Sequence, residues 1–137
     1  MDTHADLADR YIAVWNEPDA QRRRALVGEL WSADGTHQMH PPEEVRTVAD
    51  RFGVTPRLTA HGHAELESRV TKAYEEFVAP GRYLFRPQDT GTRVHDALKF
   101  RWEMVDRSDG TVAAVGLEVL LLEPDGRIRM DYQFIEA

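Results

Sequence analysis

The spacing of apolar residues changes once along this chain, at Pro80-Gly81, from helical to alternating. Before that point they recur at three- and four-residue steps, in Leu7, Tyr11, Val14 and Trp15 and again in Leu66, Val70, Tyr74 and Phe77. A stripe of that period must bury against another element, because a short isolated helix is marginal in water. Beyond Pro80-Gly81 the segments 82–86, 93–106, 111–123 and 127–136 read as strands, the last two joined by the turn Pro124-Asp125-Gly126. Helices first and an antiparallel meander last specify an α+β architecture, with helices packed on one face of a curved, mainly antiparallel sheet. At 137 residues the expected organisation is one domain, 1–137.

Local signals place the helix ends. Thr3 and Asp6 form a capping-box start, and 16–19 breaks the first helix. Asp19 can cap a second helix with the stripe Leu26, Val27, Leu30 and Trp31, ended by Asp34-Gly35. A short extended segment over 36–40 is closed by Pro41-Pro42. Val45, Val48, Ala49 and Phe52 mark a short helix ending at Gly53, and a longer helix starts near Gly62.

Composition narrows the function classes. A net charge of −7 argues against nucleic acid, because no basic surplus exists to neutralise phosphates. Arg22-Arg23-Arg24, flanked by Asp19 and Glu29, reads as the solvated face of a helix. The absence of cysteine excludes disulfides and thiolate metal sites. No apolar stretch is long enough to span a bilayer, so a cytoplasmic location with no membrane partner is expected. The histidines lack ligand spacing: His61 and His63, two apart at a helix start, do not share a face, so no metal is expected. His95 falls on the outward side of its strand.

Glu118 is the only charged residue in the eleven-residue run from Val112 to Leu122, VAAVGLEVLLL. A carboxylate in such a strand needs a partner or a task, since burying an unpaired charge costs several kcal/mol. The register of the preceding hairpin decides its direction. With Ser108-Asp109-Gly110 as a three-residue loop, Phe100 lies opposite Glu118 and Trp102 opposite Gly116, and Glu118 faces inward among aromatics. With Asp109-Gly110 as a two-residue turn, Arg101 lies opposite Glu118 in a surface pair worth under about 1 kcal/mol. Local chemistry leaves both registers open.

The chain also carries Arg10-Tyr11-x-x-x-Trp15-Asn16-x-x-Asp19, Leu30-Trp31-x-x-Asp34-Gly35, Pro41, Phe100-Arg101-Trp102, Gly116-Leu117-Glu118 and Asp125-Gly126-Arg127-Ile128. In order and spacing these resemble the SnoaL-like and ketosteroid-isomerase-like proteins of the nuclear-transport-factor-two-like superfamily. The resemblance implies a cone-shaped α+β barrel enclosing one pocket, and it favours the inward register. The isomerases' active-site Tyr on the first helix corresponds to Tyr11. Their protonated acid, eight residues before the glycine of the following turn, corresponds to Glu118; in those enzymes an apolar site keeps that acid neutral so that it can donate a hydrogen bond. Their general-base Asp precedes a proline, where this chain has His40, a residue able to accept a proton near pH 7.

Tyr11, Glu118 and His40 are therefore the expected catalytic groups. Trp15, Met39, Phe100, Trp102, Gly116 and Phe134 are the expected lining of an apolar substrate site, with Tyr132 a further aromatic for such a cavity. The expected function is a cofactor-free isomerase, cyclase or lyase acting on a small apolar carbonyl compound. A non-catalytic ligand-binding or dimerisation module is the alternative, and a homodimer is expected.

Overall fold

The computed structural model describes residues 4–40, 43–53 and 58–136. Helix α1 spans His4–Asn16 and α2 spans Ala20–Leu30, followed by strand β1 (Trp31–Met39), α3 (Glu43–Arg51), β2 (Leu58–His61) and α4 (Gly62–Ala73). Helix α4 runs into a π-helical turn, Tyr74–Val78. Then come β3 (Tyr83–Pro87), β4 (Thr92–Val94), β5 (Ala97–Asp106), β6 (Val112–Leu122) and β7 (Ile128–Ile135). The seven strands form one sheet in the order β2-β1-β7-β6-β5-β3, with β4 also on β5. Only the β1–β7 pair is parallel. The expected α+β class holds, but the sheet stays open rather than closing into a barrel. Among the described residues no helix is long and apolar enough to cross a membrane.

The core lies between the helices and one face of this sheet. Helix α1 contributes Leu7, Tyr11, Val14 and Trp15 on its buried stripe, and α4 contributes Leu66 and Val70. The proposed capping residue Thr3 lies outside the described residues, as do Pro41, Pro42 and Pro56. Asp19 caps α2, its Oδ1 accepting from the backbone N–H of Gln21 at 2.8 Å and of Arg22 at 3.1 Å. Asp19→Ala is expected to cost about 1 kcal/mol in urea unfolding. A loss below about 0.3 kcal/mol would show that tertiary packing, not the cap, holds that end.

Two expectations about α2 change. Its helical geometry stops at Leu30, and Asp34-Gly35 lies inside β1, where the register against β7 shifts between Trp31 and Thr36. Of the arginine cluster, Arg23 is buried rather than solvated. It donates to the carbonyls of Glu17 and Pro18 and to Thr71 Oγ1, and its guanidinium lies 4.5 Å from the centroid of the Tyr74 ring. Neutral acceptors and an aromatic face replace the water it loses.

The segment 93–106 is two strands, not one. A two-residue turn at His95-Asp96 folds β4 back on β5, pairing Val94 with Ala97. His95 has φ 54°, a left-handed conformation in which His is enriched among non-glycine residues. Its side chain is solvent-exposed, as expected.

The β5–β6 hairpin adopts the inward register by a route other than the one expected. Phe100 pairs with Glu118 and Trp102 with Gly116. Near the turn, however, Asp106 N–H bonds Thr111 O at 2.8 Å, leaving residues 107–110 as a four-residue loop with Gly110 at φ 76°. A bulge restores the register: Met104 pairs with Ala114 and Val105 with Val112, leaving Ala113 over. Arg101 faces outward and donates to Glu136 at 2.8 Å.

Candidate functional site

Between the helices and the sheet lies a cavity of about 670 Å³. Helix α1 presents Tyr11 and Trp15 to it, and the sheet presents Trp102 and Glu118. Helix α4 supplies the polar side of its wall, with Arg69 and Lys72. The π-helical turn adds Glu76 and Phe77 to the same wall.

Glu118 is fully buried. Its Oε1 accepts the Trp102 indole N–H at 2.9 Å, and the indole lies flat over Gly116. Asp131, also fully buried, comes up from the neighbouring strand β7, and its Oδ2 accepts the Tyr11 hydroxyl at 2.6 Å. Burial pushes the Glu118 carboxyl well above the usual carboxylate range, and the charge of Asp131 pushes it further. Burial, with the same two acids alongside, also raises Tyr11.

Glu118 Oε2 and Asp131 Oδ1 are buried without another partner. One proton held by Glu118 and shared with Asp131 gives both of them one, and a hydrogen bond between these side chains contributes to the upward shift. Glu118 is the member of this cluster whose burial and acid neighbour favour its protonated form. Asp131→Asn is therefore expected to bring the Glu118 carboxyl back toward an ordinary value, read from its side-chain carboxyl resonance across a pH titration. An unchanged midpoint would assign the shift to burial alone.

His37 completes the cluster from β1. It is buried, pairs with Asp131 across the parallel β1–β7 ladder, and places Nε2 3.9 Å from Asp131 Oδ2. Arg69 NH1 lies 3.0 Å from its Nδ1. A guanidinium only donates, so Nδ1 accepts and the ring proton sits on Nε2, directed at Gln133 Oε1 3.0 Å away. Burial lowers the His37 pKa and Arg69 lowers it further, while Asp131 and Gln133 act the other way. The ring is thereby kept neutral.

His37, Glu118 and Asp131 place ligand atoms within 4.8 Å of one another, a group with metal-ligand chemistry that the histidine spacing did not point to. A cation there must displace the proton of Glu118 and break the His37–Gln133 bond.

Of the expected residues, the fold brings Tyr11, Glu118, Trp15, Met39 and Trp102 to the cavity. Phe100 lies behind that wall, edge-on to Tyr11 with centroids 5.4 Å apart. Gly116 is covered by Trp102. His40 and Phe134 are corrections. Along β1, His37 and Met39 point inward, so His40 falls on the other side, near Phe134 with ring centroids 6.4 Å apart. Phe134 is 44% exposed, and Tyr132 is likewise exposed.

The register of β7 explains the Phe134 error and the omission of Asp131 and Gln133. Its pairing with β6 shifts between Ile128 and Met130, so Ile128 is buried while Met130 joins the outward row with Tyr132 and Phe134. Asp131 and Gln133 consequently face inward. The sequence signal available for His37 was that it precedes Met39, an expected lining residue, by two on the same strand.

No family model matches this sequence, and neither does any curated protein. Solved structures do. A proposed isomerase of the SnoaL-like family from Agrobacterium tumefaciens superposes with a TM-score of 0.77 at 25% identity, covering 98% of this chain and 97% of that one. In fold, this chain is similar to SnoaL-like and nuclear-transport-factor-two-like proteins. An NTF2-like protein from an Exiguobacterium species matches with a TM-score of 0.63 at 17% identity over 95% of this chain and 98% of its own. A proposed polyketide cyclase from Sinorhizobium meliloti matches at 0.61 and 14% identity, with 94% of each chain covered. At those lower identities the SnoaL-like likeness is one of fold alone, and the chemistry has to be argued from the site.

Proposed function

We propose that this protein is a cofactor-free isomerase- or cyclase-like enzyme for a small apolar carbonyl compound, with Glu118 as the group that exchanges protons with the ligand. The observation that carries this reading is a buried, proton-holding carboxyl on the wall of a largely apolar cavity, backed by a second acid. The likeness to the Agrobacterium protein, described as a proposed isomerase, supports the same class.

Glu118 is raised by burial and by the charge of Asp131 beside it, so one group can act as acid and then as base. Glu118 gives its proton to the ligand carbonyl oxygen. The carboxylate left beside Asp131 is strongly basic and takes a proton from the carbon next to that carbonyl: a C–H bond breaks and an O–H bond forms. Tyr11 holds Asp131 in place, and the neutral His37 with its Arg69 cap limits the cost of two adjacent carboxylates. This removes the need for His40 as the base.

The test uses 2-acetylnaphthalene bound to the protein. Its carbonyl stretch is expected to fall in wavenumber on binding, and to fall less with Glu118→Gln. An unshifted stretch in the wild-type complex overturns the reading. The internally satisfied bonds of Tyr11 to Asp131 and Trp102 to Glu118 favour the alternative of a non-catalytic binding module. Under it, the shift and the affinity both survive Glu118→Gln.

A further inference from the structure

Arg69 is a half-buried cation on the cavity wall, and its guanidinium is fixed at one corner only. Its NH1 donates to His37 Nδ1 at 3.0 Å, His37 O at 3.2 Å and Leu58 O at 3.1 Å. Among the described residues its Nε and NH2 have no hydrogen-bond partner, and no carboxylate lies within ion-pair distance. Glu65, one turn back on α4, uses Oε1 to cap the backbone N–H of His61 at 2.8 Å. The arginine is therefore held like a buried positioning group while three of its five N–H donors stay unused.

The unused side has a definite shape. Nε–H and one NH2 hydrogen lie parallel in one plane, the fork that meets both oxygens of a carboxylate. Lys72, three residues on, adds a second positive charge to this wall, against Glu65 and Glu76 on the same side of the cavity. Glu118 is carried by the sheet and Arg69 by α4, with His37 between the arginine and the acid cluster.

We infer that Arg69 anchors a carboxylate of the ligand, which makes the substrate class an apolar carbonyl compound carrying an acid group, such as a keto acid or an aryl acid. This rests on the reading of the cavity as a small-molecule site and deepens it. The anchor acts from the helix side and leaves the proton chemistry to Glu118. The ligand is thereby oriented with its apolar body along Trp15 and Trp102.

Isothermal titration of the protein with 2-naphthoate and with its neutral isostere 2-naphthamide tests this. The acid is expected to bind roughly tenfold more tightly at neutral pH, as a two-point charge-assisted contact allows. Arg69→Gln should bring the acid-to-amide affinity ratio to about one, and Arg69→Lys should fall between. Should Arg69→Gln fail to fold, the wild-type acid-to-amide ratio and the Arg69→Lys titration carry the test.

Equal binding of acid and amide, absence of 2-naphthoate binding, or a preference that survives Arg69→Gln overturns the inference. Glu118→Gln separates the two proposals, since it should leave the acid-to-amide ratio intact. A ratio of one with a retained carbonyl shift sinks the anchor alone. A retained ratio with no shift sinks the proton chemistry alone.

Discussion

Glu118→Gln is expected to lower turnover at least a hundredfold while the protein stays folded, and to remove one component of its pH-dependent stability. Glutamine keeps the volume, keeps an oxygen to accept from Trp102 Nε1, and offers N–H to Asp131 in place of the acid proton. It cannot give or take a proton.

The stability change has a definite sign. The folded-state pKa of Glu118 is raised, so the folded chain holds a proton that the unfolded chain releases above about 4.3. Stability from this group is fully present below that value, falls as pH rises toward the folded pKa, and is level beyond it. Relative to wild type, the glutamine variant should gain with rising pH, by up to about 1.4 kcal/mol per unit across the window. Asp96, Glu103 and Asp106, whose pKa values are lowered by surface partners, act oppositely at acid pH but are common to both proteins. Urea unfolding of both proteins at matched pH checks this. Parallel stability curves would mean that Glu118 ionises normally.

Gly116→Ala should be the most damaging single-methyl change on the sheet. A Cβ at this position would overlap Trp102 Cζ2 and Cε2, well inside contact distance. The indole is wedged against Phe85, its ring centroid 5.5 Å away, and cannot yield without moving its N–H off Glu118. Overpacking of this kind costs about 1–3 kcal/mol, and the lost hydrogen bond leaves a buried acceptor unpaired. Unfolding midpoints and tryptophan emission read the two effects separately. A variant with wild-type emission and less than about 0.5 kcal/mol of destabilisation would mean that the indole has room to shift.

Much of this arrangement was legible in the residues. Helical spacing up to Pro80-Gly81 and alternation beyond it gave the α+β order, because both periods are local properties of the backbone. Glu118 stood out because a lone carboxyl in an apolar strand is costly anywhere inside a protein. Tyr11 could be matched through the family pattern. Asp131 could not, because Ile128, Met130, Tyr132 and Phe134 alternate so regularly that they read as the inward row. The bulge that turns Asp131 and Gln133 inward depends on how β7 pairs with β6, which no local signal encodes.

The sequence by itself determined that helices would cover a sheet and that Glu118 required a partner or a task. Tertiary structure alone decided its direction and its partner. Bulges at Ala113 and next to Ile128 are one-residue events, yet each exchanges the two faces of a strand, because side chains alternate with a period of two. The pairing of Glu118 with Asp131, thirteen residues away in the chain, depends on the register of β7 against β6.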